Sequence, residues 1–168
     1  MRTLIIGYGN VDRQDDGVAW HVLQEVLRSL GYAQINLFDS DSPVKCGEVS
    51  FLFQLQLVPE FSELLAEYDQ VCFVDAHTGS VPEDVHFEVL VPGYQHSPFT
   101  HHLTPNSLLA MTSSVYHKSP EAILVSIRGF EFGFSSDLSE MTASLVTTAV
   151  DLILKWLYPT HHRAKGDS

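Results

Sequence analysis

Residues 2–17, Arg2-Thr3-Leu4-Ile5-Ile6-Gly7-Tyr8-Gly9-Asn10-Val11-Asp12-Arg13-Gln14-Asp15-Asp16-Gly17, decide the fold. A short apolar run that ends in a glycine turn reads as a buried strand, here Arg2 to Gly7. From Asp15 onward Val18, Ala19, Val22, Leu23, Val26, Leu27 and Leu30 fall at helical spacing, with acids in the first turn and Gly31 as a stop. A strand, a tight turn and a helix in that order form the building unit of open α/β sheets.

The same reading extends along the chain. Gln34 to Asp39 is expected to be a second strand, and Val71 to Ala76 a third, apolar on both faces as central parallel strands are. Pro59 is expected to open a short helix through Leu65. His86 to Val91 alternates and reads as an edge strand, Glu121 to Arg128 as a further strand, and Leu138 to Leu157 as the last long helix. Together these predict a three-layer α/β/α sandwich with a mostly parallel, twisted, five-stranded sheet and one antiparallel edge strand. One domain is expected over residues 1–158, with a polar tail over 159–168.

Composition narrows the function classes. Among 168 residues, 45% are apolar and 18% charged, which is globular despite a formal net charge of -12. With 21 Asp and Glu against 9 Lys and Arg, the surface repels phosphate backbones and anionic lipid, so neither nucleic acid nor membrane is an expected partner. The two cysteines, Cys46 and Cys72, match neither a redox pair nor a structural zinc module. The first apolar run is too short for a signal peptide or a membrane span, so a cytoplasmic location is the expectation.

In open parallel sheets, ligands bind beyond the carboxyl ends of the strands, where loops converge and helix N-termini point inward. That rule gathers Asn10, Asp12, Asp15 and Asp16 after the first strand, Asp39 after the second, Asp75 and His77 at the end of the third, and the loop histidines His101 and His102. Asp15 and Asp16 could simply complement a helix dipole. Asp75 ends an apolar strand, and a carboxylate there needs partners or a metal to offset its desolvation. Of the two loop histidines, one is expected in solvent and one as a ligand, held just ahead of a helix that Thr104 caps and Pro105 opens. One imidazole with two carboxylates suits zinc, nickel or iron with coordination positions left open.

Other chemistries fit less well. Gly7-x-Gly9 after a strand invites a dinucleotide-binding reading, with Asp39 as the ribose acid, but Asp12 stands where the third glycine belongs and acids line the turn. A receiver-like phosphoacceptor module binding magnesium through Asp15, Asp16 and Asp75 is the alternative from a different class. Its terminal-strand lysine is replaced by Arg128 in Ile127-Arg128-Gly129. No G-x-S-x-G elbow and no H-E-x-x-H helix occurs. No histidine is placed beside Cys46, and His161-His162 reads as a solvated tail.

Taken together, Gly7-Tyr8-Gly9-Asn10 with Asp15-Asp16-Gly17-Val18, then Gln56-Leu57-Val58-Pro59-Glu60, Phe73-Val74-Asp75-Ala76 with Gly79, His101-His102-Leu103-Thr104-Pro105, Phe132-Gly133 and Leu138-Ser139 resemble the hydrogenase maturation endopeptidases over nearly the whole chain. Members of that family trim a C-terminal extension from the large subunit of nickel-iron hydrogenases once nickel is inserted. The resemblance implies that Asp16, Asp75 and His101 take the positions of the metal ligands and that Asp39 matches a further family aspartate. It also implies a hydrogenase large-subunit precursor as partner and nickel, carried by that substrate, as the metal. Zinc or cadmium could occupy the site in vitro, no organic cofactor is expected, and the chain is expected to act as a monomer. The sequence departs from the family at Ser40-Asp41, where a glycine pair is common, and at Glu83 after Pro82.

Overall fold

The computed structural model describes residues 1–32, 35–38, 40–94 and 102–159. Six strands form one sheet: β1 Thr3–Tyr8, β2 Val44–Cys46, β3 Val49–Gln54, β4 Gln70–His77, β5 Val85–Leu90 and β6 Glu121–Arg128. The helices are α1 Val18–Ser29, α2 Phe61–Leu65, α3 Pro105–Tyr116 and α4 Glu140–Leu157, and a 3-10 turn over Gln14–Gly17 leads into α1. Strand order is β2-β3-β1-β4-β6-β5. The four central strands are parallel, and both outer ones, β2 and β5, run antiparallel to their neighbours. The sandwich is therefore as expected, with six strands in place of five and an antiparallel strand at each edge.

Strand alternation divides the core into two layers. Ile5, Phe51, Cys72, Val74, Val125 and Ile127 face α1 and α4, while Leu4, Ile6, Leu52, Val71 and Phe73 face α2 and α3. Cys46 and Cys72 are both free and buried. At about 25 cal/mol per Å² of apolar area removed from water, each fully covered Leu, Ile or Phe contributes about 2 kcal/mol, so the two layers need no cross-link.

Of the expected second strand the described residues, 35–38, form no strand, and β3 is the parallel partner of β1 on that side. Local chemistry explains the difference. The Asn36 side-chain oxygen accepts the N–H of Phe38 at 2.9 Å, an Asx-type turn that competes with a strand ladder. Val49–Gln54 carries three aromatic or aliphatic residues in a row, Phe51, Leu52 and Phe53, that bury on both faces. Asp39, expected at the end of that strand, lies outside the described residues, as does the tail from residue 160.

The connection from β1 leads through α1 toward β3, whereas β4 leads on toward β6 in the opposite direction. The carboxyl ends of β1 and β4 therefore flank a topological switch point, where open sheets leave a crevice.

Candidate active site

Two glycines shape the turn after β1. Gly9 sits at φ +143, and a Cβ there would lie 2.1 Å from the carbonyl oxygen of Asp16; a Cβ on Gly17 would lie 2.6 Å from the α-carbon of Val11. Only glycine permits backbones that close. The turn is thereby folded onto the start of the helix, and the N–H of Asn10 donates to Oδ2 of Asp16 at 2.8 Å.

The adjacent acids have separate roles. Asp15 is fully buried. Its Oδ2 accepts the N–H groups of Phe130 and Glu131 and the hydroxyl of Ser139, and its Oδ1 accepts the N–H of Ser139, at 2.7 to 2.9 Å. Burial alone would raise its pKa, but these four donors override that and hold the carboxyl down to about 2. Asp15 thus latches the first turn to the segment after β6, and Ser139 also caps α4 by accepting from Thr142. The lone pairs that the receiver-like reading assigns to magnesium are taken up by the fold itself.

Asp75 is the opposite case. It stands one residue past the last register pair of β1 with β4, Gly7 with Val74, on the face that carries Val71 and Phe73. The hydroxyl of Tyr8 donates to its carboxylate, and its own Oδ1 accepts the N–H of Ala76 at 2.7 Å. Burial pushes its pKa up from the ordinary 3.8 to about 7; the charge of Asp16 adds to the rise, while the two hydrogen bonds oppose it. Tyr8 is raised well above its ordinary value, first by burial and then by the charge of Asp75 and the hydrogen bond to it. Nothing in the residues flanking Tyr8 marks it as a partner of Asp75. The available signal was alternation: residue 8 shares a face with Leu4 and Ile6, on the strand beside Asp75.

The charge of Asp16 acts on the Asp75 carboxyl. His101 lies outside the described residues, but its flanks are described. Asn106 donates through Nδ2 to the carbonyl of Val91 at 2.8 Å, and Gly93 N–H donates to the carbonyl of Asn106 at 3.1 Å, so the two ends of that segment are clamped to each other. Thr104 caps α3 by accepting the N–H of Ser107 at 3.1 Å, with Pro105 next, as expected. This helix covers the sheet face on which Asp75 lies, and His102 is exposed. Among the described residues no three His, Cys, Asp or Glu side chains converge as a metal-binding group.

His77 ends β4 two residues past Asp75 and is 8% exposed. Its Nδ1 accepts the N–H of Gly79 at 3.0 Å, which leaves the ring proton on Nε2, and that atom has no partner among the described residues. Leaving a buried N–H unpaired costs about 1–3 kcal/mol.

Two clefts frame this end of the molecule and its opposite. One of about 240 Å³ borders Gly9 to Asp12, Phe38 and Phe53 beside the first turn. A larger one, about 430 Å³, opens at the amino end of the sheet near Thr3, Cys46 and Gln70, away from the acids. The site is assigned to the carboxyl end because the coupled carboxylates are there.

No protein-family model and no curated protein matches the sequence. Solved structures do match. The hydrogenase maturating endopeptidase HybD from E. coli superposes with a TM-score of 0.68 at 14% identity, covering 95% of this chain and 94% of that one. The [NiFe] hydrogenase maturation protease HycI from Thermococcus kodakarensis KOD1 gives 0.61 at 21% identity, over 92% and 90%. The hydrogenase 2 maturation peptidase from Thaumarchaeota archaeon SCGC_AB-539-E09 gives 0.59 at 19%, over 94% and 99%. The chain has the hydrogenase maturation protease fold. Among the described residues no helix is long and apolar enough to cross a membrane.

Proposed function

We propose that this protein is an endopeptidase that removes the C-terminal extension of a nickel-iron hydrogenase large subunit after nickel insertion. The observation that carries the reading is the pair Asp16 and Asp75: two carboxylates coupled at the switch point, one driven to a pKa of about 7 by burial and by its neighbour. A divalent cation between them relieves the repulsion and replaces lost solvation, so the donor set fits a metal. The likeness in fold to proteins named hydrogenase maturation proteases supports the substrate.

In this reading nickel arrives with the substrate and is gripped by Asp16, Asp75 and His101. Affinity then reports nickel insertion, because three oxygen and nitrogen ligands without thiolate bind a free ion modestly and a substrate with further ligands completes the sphere. Zinc or cadmium would take the same place in vitro. Asp39 is assigned as general base or as the group that orients one. The partner is the large-subunit precursor, met by a cytoplasmic monomer without nucleic acid or membrane.

Processing of a nickel-loaded precursor, followed by gel mobility, tests this. Asp16→Asn and His101→Ala should each abolish tail removal without loss of fold, and normal processing by either variant removes that residue from the site. A parallel titration addresses the receiver-like alternative, which the saturated Asp15 carboxylate already weighs against. Binding of nickel, zinc or cadmium in preference to magnesium supports the protease, whereas phosphorylation of Asp75 by a small phosphodonor would replace it with the receiver.

A further inference from the structure

His77 and Arg128 are register partners on β4 and β6, at the carboxyl ends of two neighbouring parallel strands. Both carry a buried N–H without a partner among the described residues: Nε2 of His77 and Nε of Arg128. Gly79 joins the two side chains. At φ +94 its N–H donates to His77 Nδ1, and a Cβ there would stand 3.3 Å from Nη2 and 3.6 Å from Nε of Arg128. The guanidinium also lies over the Phe130 ring, 4.8 Å from its centroid. Glu83 and Glu88 bracket His86 at 3.1 and 3.3 Å, and Asp84 pairs with Nη1 of Arg128 at 3.7 Å, which leaves Nε without an acceptor among the described residues. The Arg128 side chain is 39% exposed, so the guanidinium itself reaches solvent.

Two donors, one of them cationic, thus stand at the same sheet end as Asp75, each with an N–H that no described group accepts. We propose that His77 and Arg128 form a donor pair that receives the carbonyl oxygen of the peptide bond being cut. The proposal rests on the endopeptidase reading above. As water adds to the carbonyl carbon, the π electron pair moves onto that oxygen and meets the two N–H groups. The water proton passes to the general base assigned above and then to the departing amine as the C–N bond breaks. Such donors act where charge develops, so they lower the barrier more than they tighten the substrate.

The test is steady-state processing of the nickel-loaded precursor by wild type, His77→Phe, His77→Gln and Arg128→Met. Loss of one donor should lower kcat about 100-fold and leave KM within about threefold, while glutamine, which keeps an N–H, should recover at least a tenth of the rate. Near-UV circular dichroism checks folding, and if the phenylalanine variant does not fold, Arg128→Met on its partly exposed side chain carries the test. Unchanged kcat in the folded variants, or a loss confined to KM, overturns the donor pair while the endopeptidase reading stands. An inactive wild type overturns both. Independently, ¹⁵N spectra of labelled histidine should report His77 protonated on Nε2, and protonation on Nδ1 would overturn the assignment.

Discussion

Asp75→Asn should stabilise the protein at neutral pH while destroying metal capture. The folded state raises the Asp75 carboxyl from 3.8 to about 7, and at 1.4 kcal/mol per tenfold it binds that proton about 4 kcal/mol more tightly than the unfolded chain does. Because the folded value lies above the unfolded one, stability falls as pH climbs from about 4 to about 7, and levels off beyond. Asparagine carries no charge to desolvate but still buries an amide, so the expected gain is about 2 kcal/mol near pH 8, or roughly 4–8 °C in Tm, turning into a loss of about 2 kcal/mol near pH 4, where the wild-type carboxyl is protonated. The assay is urea unfolding of both proteins across that range, plotted as a difference. Three other groups cancel in the difference: Asp15, held down to about 2; Glu83, lowered by its own backbone hydrogen bond and by His86; and His21, lowered by burial. A difference that stays constant with pH, or an asparagine variant no more stable than wild type near pH 8, would refute the reasoning.

Three further outcomes follow from the same geometry. Asp15→Ala strands the N–H groups of Phe130, Glu131 and Ser139 and should cost about 3–5 kcal/mol in denaturant unfolding. Tyr8→Phe removes a hydrogen bond that favours the Asp75 carboxylate, so that carboxyl should titrate about one pH unit higher by ¹³C NMR and metal binding should require correspondingly higher pH. Gly9→Ala meets both a left-handed backbone angle and the Asp16 carbonyl; thermal unfolding should show a loss above about 2 kcal/mol, with weakened cadmium binding in whatever folds.

Much of this architecture can be read from residue order, because its signals are local. β1, β4 and β6 are continuous apolar runs, and Thr104-Pro105 and Ser139 mark helix starts within a few residues. The influence of Asp16 on Asp75 was legible for a related reason, since strand ends in a parallel sheet share one edge. What local reading missed depends on competition or distance. At residues 35–38 a side-chain turn displaced the strand, and the place beside β1 went to Val49–Gln54. The difference between Asp15 and Asp16 rests on donors 115 to 124 residues away, beyond the reach of any window along the chain. Tyr8 was hidden because a tyrosine beside a glycine turn reads as packing until its strand neighbour is known.

The Asp15 latch ties the fate of the two ends of the polypeptide to each other. Since the residue next to Asp16 is fastened to the cap of the last helix, a cut between residues 129 and 139 should silence the proposed site even though no reacting group is lost. Loops there are replaceable in length only where they spare the groups that reach Asp15, and grafting this front turn onto another sheet would require bringing its distant clasp along.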